Sequence, residues 1–403
     1  MKLSKLSQLI LVSSTGLLVA SLLTACQIVT VDYVFMASKT SLTNSSSDGQ
    51  IDVFASDSQS GALRPVATAV SSGGANPVAL VVSSDYLNLY VANAGGSIVH
   101  FDIASSGSLS QKEVVTPAGT PTAIAVNTAG TYLFAVSSAP ATLTVYPLSG
   151  GALGAAVASV PLSLPAYPSD TLVPTAVTAL ANNDAVYVAA YDQTVYNPGG
   201  TTTASGANPG WVFGYTVGSG GALTAAPLSP YLAGVKPSGI SGEPTSRFVY
   251  VTDFASSQLI GYSVGSNGTL NFMVNGPFKS GNEPDAIVVD PRAKYIYVTN
   301  ALDNSVTAYA INLQSGTPTA SVNVTGSQTN STDTLPVALT VEPALGRYVY
   351  TANYLGNSIS GFRLDPNTGA LTPTQATPYP TPSEPTAIAA IPHGSHATES
   401  VQP

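Results

Sequence analysis

Pro284-Asp-Ala-Ile-Val-Val-Asp-Pro-Arg-Ala-Lys-Tyr-Ile-Tyr-Val-Thr-Asn300 holds two short apolar runs separated by Asp290-Pro-Arg-Ala-Lys294. The runs are β-branched and aromatic, and the connection carries turn residues, so the stretch reads as strand, turn, strand. A third run, Ser305-Val-Thr-Ala-Tyr-Ala-Ile311, follows Ala301-Leu-Asp-Asn304, and a weaker fourth lies near Ala320-Ser-Val-Asn-Val-Thr325. Proline cannot donate into a β-ladder, which confines Pro284 to an edge strand or a strand's first residue.

The unit recurs along the chain. Proline-led apolar runs begin at Pro77, Pro121, Pro174, Pro237, Pro284, Pro336 and Pro385. An aromatic in a second run stands at Phe35, Tyr90, Phe134, Tyr187, Tyr250, Tyr297 and Tyr350, and another at Phe54, Phe101, Tyr146, Tyr215, Tyr262, Tyr309 and Phe362. A Gly-x-Leu turn follows at Gly61, Gly107, Gly151, Gly221, Gly268 and Gly369, while the sixth unit keeps Gly316 without the leucine. A repeat of this length with four antiparallel strands is a propeller blade. The fold expected is all-β: a seven-bladed β-propeller of four-stranded blades over residues 33–391. Small residues after the prolines suit crowding near an axis, and the aromatics suit the spaces between blades. The first unit lacks an inner strand, and Pro385-Thr-Ala-Ile-Ala-Ala-Ile391 has no unit after it. Pairing the two would complete the first blade and close the ring.

The first 26 residues fall outside the repeat. Lys2 and Lys5 precede an apolar core from Leu9 to Leu23, and Leu23-Thr24-Ala25-Cys26 ends it. That ending resembles the lipobox of bacterial lipoproteins, which implies lipidation of Cys26, the chain's single cysteine. Without Lys2 and Lys5, ten basic and 21 acidic side chains remain, a formal charge of −11. No Lys/Arg cluster exists, so nucleic acid is not an expected partner. The expected location is the cell envelope, extracytoplasmic and tied to a membrane by lipid. Gln27 follows the cysteine in place of an aspartate, which tilts the choice toward the outer membrane. Residues 27–32 form a tether of roughly 20 Å at full extension. Residues 392–403 are polar and patternless and read as a disordered tail, and 191–210 as a slack Gly/Thr/Asn loop rather than a lid. The oligomeric state expected is a monomer.

The second runs Leu89-Tyr-Val-Ala-Asn93, Val249-Tyr-Val-Thr-Asp253, Ile296-Tyr-Val-Thr-Asn300 and Val349-Tyr-Thr-Ala-Asn353 look like the YVTN repeats of bacterial surface propellers. With the Gly-x-Leu turns they also resemble the seven-bladed lactonase family, whose named activity is 6-phosphogluconolactonase. Members with that activity carry a Gly-Pro-Arg-His segment leading into an inner strand. The matching positions here read Asn76-Pro-Val, Thr120-Pro-Thr, Val173-Pro-Thr, Lys236-Pro-Ser, Glu283-Pro-Asp, Leu335-Pro-Val and Glu384-Pro-Thr. None has the Arg-His pair, and Glu283, Asp285 and Glu384 would repel a phosphate.

Residues before each inner strand and after each second strand should gather around one mouth of the channel. The candidate ligand-binding set is Asn93, Asp192, Lys236, Asp253, Glu283, Asp285, Asn300, Asn353 and Glu384. Such oxygens could hold a hard cation such as Ca²⁺ or bind a sugar, or simply cap strand ends. No metal ligand set and no catalytic residue stands out. His100 lies within a third strand, where packing or a local hydrogen bond is expected, and His393 and His396 belong to the tail. Three functions fit: an envelope-anchored binding or scaffold module for a glycan or protein, a hydrolase of an extracytoplasmic lactone, or a structural envelope protein. The missing Arg-His pair puts the binding module first.

Overall fold

The computed structural model describes residues 30–39, 47–196, 209–323, 325–382, 384–394, 398–401 and 403. Cys26 and residues 197–208, most of the long loop, lie outside them, as does His396. Within the described residues, seven antiparallel sheets stand around one axis. Their inner strands are Pro77–Val82, Thr120–Val126, Leu172–Ala179, Pro237–Gly242, Pro284–Val289, Pro336–Val341 and Pro385–Pro392. Each inner strand neighbours the next, and the last neighbours the first. The ring closes as its sequence implied: Pro385–Pro392 pairs antiparallel with Thr30–Ser38, from Asp32 opposite Pro392 to Ser38 opposite Pro385.

The outermost strand differs from the expected single run. In six sheets it is split into two short pieces, both paired to the third strand; only Leu109–Val115 is continuous. In the sixth blade the pieces are Pro318–Ala320 and Thr329–Ser331 rather than one strand from Ala320. Prolines such as Pro230, Pro277 and Pro378 sit in the breaks of other blades, where a missing N–H interrupts the ladder. The described residues at the chain's ends also make contacts. The first strand starts at Thr30, inside the segment read as a tether. Beyond the last strand, the His393 N–H bonds the Val31 carbonyl at 2.6 Å and the Val401 N–H bonds the Ala344 carbonyl at 3.1 Å.

Seven apolar clusters fill the seven interfaces between blades. The second-strand tyrosines explain why an aromatic and a glycine recur together. Tyr90 donates to the Gly151 carbonyl (2.6 Å), Tyr187 to Gly268 (2.8 Å), Tyr250 to Gly316 (2.7 Å), Tyr297 to Gly369 (3.1 Å) and Tyr350 to Gly61 (2.9 Å). In each case the glycine belongs to the turn of the following blade, and the last bond crosses the closure. Gly369 shows why no other residue serves: its φ is +72°, and a Cβ would lie 2.3 Å from the Tyr295 ring. Tyr295 is only 5% exposed and has nowhere to move. Gly369→Ala should therefore cost about 2–4 kcal/mol, while Tyr297→Phe, which only removes a hydroxyl bond, should cost about 1 kcal/mol. Urea unfolding curves measure both, and equal costs would contradict this account.

Candidate functional site

Each inner strand carries one extra residue just after its proline, so the pairing shifts there in all seven blades. A bulge of this kind turns a side chain away from the regular pleat. Six blades thereby present Val78, Thr175, Ser238, Asp285, Val337 and Thr386 to an axial cavity of about 360 Å³. The bulge residue of the remaining blade is Thr122. Around this ring Asp285 is the single ionisable side chain.

Hydroxyls fix the wall beside it. Ser238 Oγ donates to the Pro284 carbonyl at 2.7 Å, and Thr252 Oγ1 donates to the Asp285 carbonyl at 3.1 Å. These bonds tie the fifth blade to the sixth and leave the Asp285 carboxyl as the polar group facing the cavity. That carboxyl retains partial contact with the lumen but is otherwise enclosed by protein. Burial pushes its pKa from 3.8 up to about 7, the Lys236 charge pulls it down, and Glu283 pushes it further up. Lys236 is half-buried, its Nζ 3.8 Å from the centroid of the Phe254 ring. Burial lowers its pKa from the usual lysine value, and Asp285 and Glu283 oppose that shift. Glu283 itself holds a left-handed backbone, φ +52°, while its carbonyl accepts the Ala301 N–H at 2.9 Å.

The other rim candidates are placed differently. The residues ending the second strands turn inward and satisfy their own loops. Asn93 donates to the Ser72 carbonyl at 3.0 Å and to Ser97 Oγ at 3.1 Å. Asp253 accepts from the Val235 and Lys236 N–H groups, both at 2.9 Å, and from Gln258. Asn300 donates to Ser305 and Thr307 and accepts from Ser280 and the Gly281 N–H. Asn353 donates to Ser358 and Ser360 and accepts from Thr351. All four are fully buried. A loop that leaves a strand deep in the disc must have its polar groups satisfied; Asp253 and Asn300 accept loop N–H groups, while Asn93 and Asn353 donate to a carbonyl or to hydroxyls. Asp192 is also buried, accepting the Thr194 N–H at 2.9 Å. Glu384 is partly exposed and forms an ion pair with Lys39 at 3.7 Å. The structure thus brings the charges of Lys236, Glu283 and Asp285 near one another, with Asp285 alone of the three lining the axial cavity, and leaves the other candidates elsewhere. Among the described residues, no three of His, Cys, Asp and Glu come together as a cation-binding group.

His100 is buried, with Nδ1 2.6 Å from Glu113 Oε2 and Nε2 2.8 Å from Asn88 Oδ1. Its ring stacks on Tyr90 at 5.1 Å, away from the axis. On the opposite face of the disc, buried Glu243, Asp290 and Glu342 accept the N–H groups of the turns into the second strands. In sequence these carboxylates are marked by Glu243-Pro, Asp290-Pro and Glu342-Pro, of which only the Asp290 segment stands out as a turn.

The sequence profile of the family described as lactonase, 7-bladed beta-propeller, matches residues 34–171 and 227–395. No curated protein sequence matches the chain. Among solved structures, a putative 6-phosphogluconolactonase from Bacteroides fragilis superposes with a TM-score of 0.70 at 18% identity, covering 90% of this chain and 98% of its own. A putative 6-phosphogluconolactonase from Bacteroides uniformis gives 0.71 at 18% identity, covering 90% and 100%. The Pseudomonas aeruginosa periplasmic gluconolactonase PpgL gives 0.69 at 21% identity, covering 89% and 99%. At these identities the structural likeness is one of fold.

Proposed function

Because the chain belongs to the lactonase family of seven-bladed β-propellers, we propose that it hydrolyses a neutral sugar lactone in the axial cavity, with Asp285 as the base. The observation that carries this reading is the position of Asp285, the one ionisable group on the bulge ring, with the Lys236 ammonium acting on it. A carboxyl titrating near neutrality can remove a proton from water at working pH. Water attacks the lactone carbonyl as its proton passes to Asp285, and the developing oxyanion is stabilised by the Lys236 ammonium. Collapse breaks the ring ester bond, and the leaving ring oxygen takes the proton back from Asp285, yielding the open hydroxy acid. Glu283 and Asp285 disfavour a phosphorylated substrate, so the reading departs from 6-phosphogluconolactone and points to an uncharged ring.

The test is hydrolysis of glucono-δ-lactone above its spontaneous rate, followed across pH. Removing positive charge should raise the Asp285 pKa, so Lys236→Met moves the acid limb of the rate to higher pH. Removing negative charge should lower it, so Glu283→Gln moves the limb down. Limbs unmoved in both variants would assign the base elsewhere. If no lactone turns over at all, the binding module for a glycan or envelope protein takes its place.

The envelope location rests on the leader and Cys26. Cys26→Ser should abolish incorporation of labelled palmitate and move the chain from the membrane fraction to the soluble one. Palmitate retained in that variant would overturn the anchoring.

A further inference from the structure

A second cavity, of about 360 Å³, opens in the fourth blade between Leu164, Tyr167, Asp170, Asp192, Pro209 and Trp211. It is separate from the axial cavity, with which it shares no lining residue. Asp192, Pro209 and Trp211 fall in residues 172–226, outside the span matched by the family profile.

Its walls combine three kinds of group. Tyr167 is 58% exposed, an unusual position for a large aromatic, and Trp211 forms a second aromatic surface. Asp170 and Asp192 bring two carboxyls together. Asp170 is held above the usual carboxylate range, first by its hydrogen bond with Asp192, then by burial and by the Asp192 charge. Among the described residues, the Trp211 indole N–H is buried without a hydrogen-bond partner. Leaving such a donor unpaired is costly, and a ligand acceptor would remove the cost.

We propose that this cavity binds a neutral saccharide ring. Aromatic faces take the apolar C–H face of a sugar, while ring hydroxyls both donate to carboxylate oxygens and accept from an N–H donor. A cationic ligand would use the carboxyls and the aromatic faces but would set its positive charge against an unsatisfied N–H. The proposal does not depend on the axial cavity being catalytic.

Trp211 is the chain's single tryptophan, so intrinsic tryptophan emission reports on this cavity alone. The full chain is titrated with glucose, cellobiose and choline chloride, in parallel with Asp285→Asn. A saturable change in emission with glucose or cellobiose at millimolar concentration is expected, equal in Asp285→Asn. The apparent Kd should weaken about tenfold or more in Asp170→Ala and in the exposed-site variant Tyr167→Ala. Two results would overturn the proposal: a linear, non-saturating response shared by all variants, or saturation with choline instead of the sugars. Loss of hydrolysis in Asp285→Asn with sugar binding intact would separate the two sites.

Discussion

Asp285→Asn should lower kcat for glucono-δ-lactone by about 10²–10⁴-fold while changing KM little. Asparagine keeps the size of the side chain on the bulge ring but cannot take a proton from water. The cavity's other bulge side chains are valines and hydroxyls, some of the latter bonded back to neighbouring strands, as with Thr175 to the Ala189 carbonyl at 3.2 Å. None of them can substitute as a base near neutral pH. In the parent chain, activity should fall as pH drops through about 7, where the Asp285 carboxyl becomes protonated. The same substitution has an opposite consequence for stability. The folded chain keeps the Asp285 proton up to about 7, whereas the unfolded chain releases it near 3.8. The fold is therefore favoured at low pH, and that contribution is lost as pH rises through the folded value. Asp285→Asn should raise the melting temperature at about pH 8 and leave it nearly unchanged at about pH 4. Unaltered turnover in this variant would end the catalytic reading. Lost turnover without the stability gain at high pH would contradict the burial argument.

Ending the chain at Glu384 should destroy the whole disc rather than one blade. The last strand contributes Ala387, Ile388, Ala389, Ala390 and Ile391, each at most 7% exposed. Its removal uncovers Val34, Phe35 and Met36, now wholly buried, and leaves the first blade without its axial strand. Each large apolar side chain returned to water forfeits about 1.5–3 kcal/mol, against a total stability of typically 5–15 kcal/mol. The ring also opens, so the first and last blades lose their shared apolar cluster, in which Tyr350 and Ile359 of the seventh meet Val34 and Phe54 of the first. The truncated chain should be insoluble or lack a cooperative thermal transition, and a synthetic peptide of residues 385–394 added during refolding should restore one. A soluble truncation melting near the parent's temperature would refute closure as the source of stability.

The blade count, the strand order and the closure were all legible in the sequence, because each is written as a repeated local pattern. Tyr297 and Gly369 illustrate how. A hydroxyl of one blade meets a left-handed turn of the next, so the contact reappears at fixed positions in every unit that uses it. The split outer strands were harder to see, since pieces of two to four residues carry too few side chains to show a period. The rim was legible only as a set of names. Asn93, Asp253, Asn300 and Asn353 share their chemistry with a binding site, and sequence does not say which way such a side chain turns. One signal was present: aligned on the seven prolines, the following residues are Val, Thr, Thr, Ser, Asp, Val and Thr, and Asp285 alone can ionise.

By itself the sequence determined a closed ring of seven sheets, because alternating β-branched runs, prolines at strand starts and paired aromatic–glycine positions are short-range constraints repeated along the chain. Only the tertiary structure decided which polar residues face a cavity. A single extra residue in each inner strand swings Asp285 toward the axis, and the fold carries Asp170 to Asp192 and Trp211 across the fourth blade. Those placements depend on bulge geometry and on contacts between distant segments, and no local pattern of residues encodes them.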